Sequence, residues 1–174
     1  KAERKLAEIQ RVQGDARYTF EALVREIRSA KIDYAYYADP DNNPATNDNI
    51  DLSAPLGVGL NTWNNAKVQL VLLKADGEQI RFRQEQGSVC LTSPCLAVNS
   101  TATGGAWAAL TPEGIAVKKL VFIISPAADP FTVAGPPQQP SVIIQLASET
   151  VSAKAEEVGR ATYQTTVVSR QYAR

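Results

Sequence analysis

The 174-residue chain has no histidine, no methionine and only two cysteines. Without histidine, Ser-His-Asp and Cys-His catalysis and every histidine-containing metal site are excluded, and two cysteines cannot complete a structural zinc site unaided. It also lacks an apolar run of the roughly eighteen residues that a transmembrane helix needs. Charge of one sign is missing as well: 18 Lys and Arg balance 18 Asp and Glu. That balance removes any overall electrostatic case for nucleic acid, so no nucleic-acid partner is expected. A natural reading frame begins with Met, so a chain starting at Lys1 is expected to have lost a preceding segment.

What the chain does have begins with periodicity. Leu6, Ile9, Val12, Ala16, Phe20, Leu23, Ile27 and Ala30 recur at steps of three or four, with charged residues between them. That is one stripe of an amphipathic helix over about the first thirty residues. Arg4/Glu8, Arg17/Glu21 and Glu21/Arg25 are spaced for i,i+4 pairs, and Gly14 is a weak point where the helix could bend. At 1.5 Å per residue such a helix spans about 45 Å, against a radius of gyration of about 16 Å for a domain of this size. Its apolar stripe is therefore expected to outrun its own globule. Leu6, Ile9 and Val12 fall on the exposed part, and Phe20, Leu23 and Ile27 on the covered part.

After Asp33 the pattern changes. Residues 39–65 are rich in Asn, Asp, Pro and Gly, a loop composition. Val68 to Lys74 and Gln79 to Gln84 flank an Asp76-Gly77 turn and predict a hairpin. Val89 to Leu96 is a further candidate strand. Val117 to Ser125 (VKKLVFIIS) is a nearly continuous β-branched and aromatic run, which predicts a central strand buried on both faces. Ser141 to Ser148 and Ala161 to Arg170 follow as strands, with a polar linker between them that could hold a helical turn. One long helix followed by strands predicts an α+β fold, a long N-terminal amphipathic helix packed on an antiparallel β-sheet. Residues 1–33 form the helix and 34–174 the head of a single domain.

Three stretches, in this order, carry a resemblance: Arg17 to Ala30 (RYTFEALVREIRSA), Leu110 to Phe122 (LTPEGIAVKKLVF) and Gln164 to Tyr172 (QTTVVSRQY). Together they cover about a quarter of the chain, and they resemble type IV pilin-like proteins, most closely minor pilins and the minor pseudopilins of type II secretion. The resemblance implies a long helix packed on a sheet, with an apolar membrane anchor preceding Lys1. The processing-site glycine and early helix glutamate of the family are absent here. The implied role is a structural subunit, not an enzyme, that assembles into, initiates or caps a pilus-like filament. Its partners would be other pilin or pseudopilin subunits and, through the anchor, the inner membrane. It would act outside the cytoplasm, in the periplasm or at the cell surface.

In that setting Cys90 and Cys95, which enclose four residues, are expected to form a structural disulfide, free buried thiols being the alternative. So short a loop would contribute about 2 kcal/mol. Asp39, Asp41, Asn43, Asn47 and Asp51 place oxygen side chains at alternating positions in a segment without Lys or Arg, a composition that suits Ca²⁺. The EF-hand template fails there, with Pro44 and Ile50 at its glycine and glutamate positions, and turns use the same residues. The alternative function is thus a calcium- or glycan-binding adhesive or uptake module on the same scaffold. Tyr34, Tyr36, Tyr37, Trp63 and Trp107 are expected at the core edge, with Tyr34 and Tyr36 aimed to one side. Asp76 and Glu78 sit in an exposed turn that would not separate their pKa values. The first 31 residues carry eight basic and five acidic side chains and the remainder ten and thirteen, making a basic helix on an acidic head.

Overall fold

The structure, a computed structural model, describes residues 2–38, 69–87, 89–132, 138–152 and 154–170. The stripe at three- and four-residue steps forms α1 (Ala2–Ser29), continuous through Gly14. A two-residue strand, β1 (Lys31–Ile32), and a short helix, α2 (Tyr34–Ala38), follow. The carboxylate of Asp33 caps α2, accepting from the amide of Tyr36 at 3.0 Å. The helical turn pairs Tyr34 with Tyr37 in the interior and leaves Tyr36 half-buried. This corrects the expected side-by-side placement of Tyr34 and Tyr36, which assumed extended backbone.

The hairpin forms where Asp76-Gly77 predicts it, between β2 (Gln69–Leu73) and β3 (Gln79–Glu85). Gly77 takes a φ of 86°, and Asp76 Oδ1 accepts from the amide of Glu78 at 2.9 Å. The strand expected over Val89 to Leu96 begins only at the second cysteine, as β4 (Cys95–Ser100), because the preceding residues form the disulfide loop. β5 (Trp107–Ala109), β6 (Ile115–Ser125), β7 (Ser141–Thr150) and β8 (Arg160–Val168) complete the chain, with a 3₁₀ turn at Ala155–Glu157 in the polar linker.

The fold is α+β, but the expectation of a long helix on one antiparallel sheet is corrected. The strands make two sheets, a five-stranded one ordered β1-β2-β3-β4-β5 and a three-stranded one ordered β6-β7-β8, all antiparallel. β6 is an edge strand and not the central one. Lys118 and Lys119 are exposed, the register with β7 shifts between Val117 and Lys119, and past that point burial alternates. The two sheets touch where the amide of Val117 donates to Pro94 O at 2.7 Å and Gln84 Nε2 donates to Val117 O at 2.9 Å.

Leu23, Ile27 and Ala30, on the second half of α1, belong to one core cluster with Leu70, Leu72, Ile80, Phe82 and Leu96 of the first sheet and Leu120, Phe122, Ile124, Val142, Ile144, Leu146 and Val167 of the second. Within it α1 rests on β7 and β8. Each fully buried side chain of this kind contributes about 1.5–3 kcal/mol relative to exposure, so this shared core dominates stability. The first half of α1 meets the three-stranded sheet too: Val12 and Ala16 form a smaller cluster with Ile115 and Ala161.

Candidate functional site

The leading end of α1 is where the predicted partner-facing residues lie. Gly159, just before β8, comes up against the helix backbone so closely that a Cβ there would stand 2.5 Å from Glu8 O. The residue is thus confined to glycine by a close approach. Arg11 Nη2 donates to Glu113 O at 3.0 Å and its Nε lies 3.7 Å from Asp15, while the hydroxyl of Tyr163 donates to Gln13 O at 2.9 Å. The ring of Tyr163 stands 5.6 Å from that of Phe20. These contacts clamp the helix from Glu8 onward.

The expected exposed stripe is accordingly shorter than its spacing suggests. Val12 is fully buried in the domain itself and Ile9 is half-buried, whereas Leu6 is 56% exposed. The reason is the glycine contact, which seats the helix one to two turns further along its length than amphipathicity alone indicates. Among the described residues, Glu3, Arg4, Lys5, Leu6 and Ala7 are exposed as a single free segment.

Near this end lies the Cys90–Cys95 disulfide, its Cα atoms 5.8 Å apart. Both sulfur-bearing residues are buried beside Val89, Ala97 and Trp107. The loop that the bridge closes holds Leu91 out, 83% exposed, at the rim of a shallow groove of about 260 Å³ that Pro112, Gly114 and Ile115 also line. Spacing alone does not single out Leu91; a large apolar residue inside a four-residue cystine loop is the signal that would.

On the outer face of the five-stranded sheet, the guanidinium of Arg83 lies 3.8 Å over the Trp107 ring and pairs with the buried Glu85 carboxylate at 2.5 Å. Arg81 lies 5.1 Å over Tyr36, and its Nε donates to Gln79 Oε1 at 2.7 Å. Gln79 Nε2 in turn donates to Asp33 at 2.7 Å. The hydroxyl of Tyr37 accepts from the amide of Val71 at 2.8 Å, and burial pushes its pKa up, out of the ordinary phenol range. Tyr36 and Trp107 thus hold the sheet's outer face together, with ring faces occupied by arginine.

Glu78 does not share an undisturbed turn with Asp76. A hydrogen bond from Lys74, at 2.8 Å, and a second from Ser100 hold the Glu78 carboxyl below the usual carboxylate range. The side chain of Asn99, in an Asn-Ser-Thr sequence, is buried and donates to Gly105 O. Asp39, Asp41, Asn43, Asn47 and Asp51 lie outside the described residues, as does Trp63. Among the described residues no three His, Cys, Asp or Glu side chains gather as a metal-ligand group, and no helix is long and apolar enough to cross a membrane. No family model, no curated protein and no solved structure matches the chain.

Proposed function

We propose that this chain is a structural subunit of a type IV pilus-like filament, a minor pilin or a minor pseudopilin, that packs by the leading turns of α1 against neighbouring subunits. The observation that carries the reading is the free helical segment Glu3 to Ala7, with Leu6 exposed at the head of a stripe that continues into the buried Val12, Ala16, Leu23 and Ile27. An exposed apolar residue in line with a buried stripe continues the packing surface toward a partner. The basic helix and acidic head add charge complementarity that sets register between stacked subunits more than affinity. The disulfide supports an oxidising compartment, the periplasm or the cell surface. Head-to-tail contacts that do not close on themselves generate filaments of this kind.

The test is incorporation. Filaments sheared from the source cell should contain the chain, and Leu6→Glu should reduce its recovery in that fraction at least about tenfold, equivalent to about 1.4 kcal/mol of lost packing. The monomer fold, read by circular dichroism, should be unchanged. Absence of the unaltered chain from filaments, or undiminished recovery of the Leu6→Glu variant, overturns the reading.

A further inference from the structure

Among the described residues, the exposed edge of β8 differs from the other sheet edges. The five-stranded sheet ends in strands of two and three residues, β1 and β5. β6, the far edge of the other sheet, carries two exposed lysines and a register irregularity. Short strands, lysines and bulges are how edges are kept from pairing with other chains. β8 has none of these: nine residues long, it contains no charge, proline or glycine from Ala161 to Val168, and its register with β7 is unbroken.

The ladder fixes which of its main-chain groups are free. The amide of Thr150 donates to Gly159 O and the amide of Ser169 to Pro140 O, both at 3.0 Å. Odd-numbered residues therefore face β7, and the amides and carbonyls of residues 160, 162, 164, 166 and 168 point away from it. Among the described residues, β8 has no strand on that side. The side chains of these same five residues are exposed.

We propose that β8 pairs with β8 of a second copy of this chain, antiparallel about a two-fold axis at Gln164, joining two three-stranded sheets into one of six strands. A two-fold normal to the sheet keeps each face on its own side, so residues opposite each other have the same parity. Centred on Gln164, the register sets Thr162 against Thr166, Arg160 against Val168, Tyr163 against Thr165 and Ala161 against Val167. No like charges meet, and Thr–Thr pairs are favourable across strands. Every free amide on the edge finds a carbonyl, because the outward-facing residues are the ones that this register makes hydrogen-bonded pairs.

The helices fit as well. α1 runs beside β8 in the same direction, clipped by Tyr163 to Gln13 O at one end and by the amide of Arg170 to Arg28 O, at 3.3 Å, at the other. It rests on both β7 and β8. Two copies therefore bring their helices side by side and antiparallel about 10 Å apart, two strand spacings, which is the distance of packed helices. This contact uses a surface separate from the leading turns of the helix and does not depend on the filament reading.

Sedimentation of the whole chain up to about 1 mM should show a monomer–dimer equilibrium. Gln164→Lys sets like charges against each other at the axis, and Gln164→Pro removes an outward amide without touching the β7 ladder. Each should weaken dimerisation at least about tenfold while circular dichroism and Tm stay near those of the parent. Gln164→Cys should oxidise to a linked dimer, since opposed hydrogen-bonded residues lie about 5.5 Å apart, and Thr162→Cys should not. A chain monomeric at that concentration, a dimer untouched by Gln164→Lys, or equal crosslinking of the two cysteine variants overturns the proposal. If Gln164→Pro unfolds, Gln164→Lys decides. A dimer abolished by Leu6→Glu but not by Gln164→Lys assigns self-contact to the helix end and likewise overturns it.

Discussion

The five-stranded sheet is tied together locally, whereas the three-stranded sheet depends on a helix from the far end of the chain. In the first, β2 and β3 are joined by a tight turn, the cystine bridge encloses only four residues, and arginines stacked on Trp107 and Tyr36 knit the outer face. In the second, the strands are nine to eleven residues long, and the helix seat is made by residues such as Gln13 and Tyr163, 150 apart in sequence. Contacts of such separation form late because loop closure precedes any reward. The difference teaches that edge protection and sequence distance go together here: the locally tied sheet has short edges, and the helix-dependent one has the open edge.

Gly159→Val is the strongest way to break this comparison. A Cβ would meet backbone atoms of Glu8 and Ile9 at 2.5–2.8 Å, and backbone cannot step aside cheaply. A loss of about 3 kcal/mol is expected, lowering Tm by about 6–12 °C. Hydrogen exchange should rise along the first half of α1 while β2–β4 stays protected. Uniform loss of protection in both sheets would show that they do not differ in their dependence on the helix.

Replacing both cysteines by alanine sharpens the other side. The expected cost is about 2 kcal/mol by denaturant titration, with exchange increasing at the start of β4 and around Trp107 but not in β7 or β8. An equal increase in β8 would refute the idea of locally tied stability in the first sheet.

The smallest effect is acid sensitivity. Glu78 is held low by Lys74 and Ser100, and Glu149 by Lys118 and then Arg160. Folded values below the unfolded ones mean that the stabilisation is fully present above the ordinary carboxylate range. It is lost as pH falls through each lower folded value. Glu78→Gln and Glu149→Gln together should therefore flatten the fall in Tm between about pH 5 and pH 3. Both pairs are solvent-accessible, so the flattening is small, and an unchanged slope would show that neither ion pair contributes.

Much of the local architecture is legible in the sequence, because it rests on short-range chemistry. The three- and four-residue steps from Leu6 to Ala30 mark α1, Asp76-Gly77 marks the hairpin, and the apolar alternation from Ser141 marks β7. Asp33 is a readable cap for α2, so the turn at Tyr34–Ala38 was available from capping chemistry too. The division into two sheets was not, since it depends on where β6 finds hydrogen bonds. Its apolar run reads as doubly buried, yet Val121 and Ile123 are half-buried on an edge strand. Val12 shows the same limit at the candidate site. Its burial follows from Gly159, a residue far along the chain whose role is to be small, and no periodicity in the helix reports it.

The parallel course of α1 and β8 has a mechanical consequence. A pull on the leading end of the helix, directed along its axis, does not peel contacts away one after another. It loads the Tyr163–Gln13 clip, the Val12–Ala16 cluster and the Arg170–Arg28 clip together, in shear, with the Ser169 hydroxyl holding Ala30 O at the far end. A sideways pull on the same segment bears first on the contacts of Glu8 and Arg11 alone. The domain is thus stiff along the helix and compliant across it.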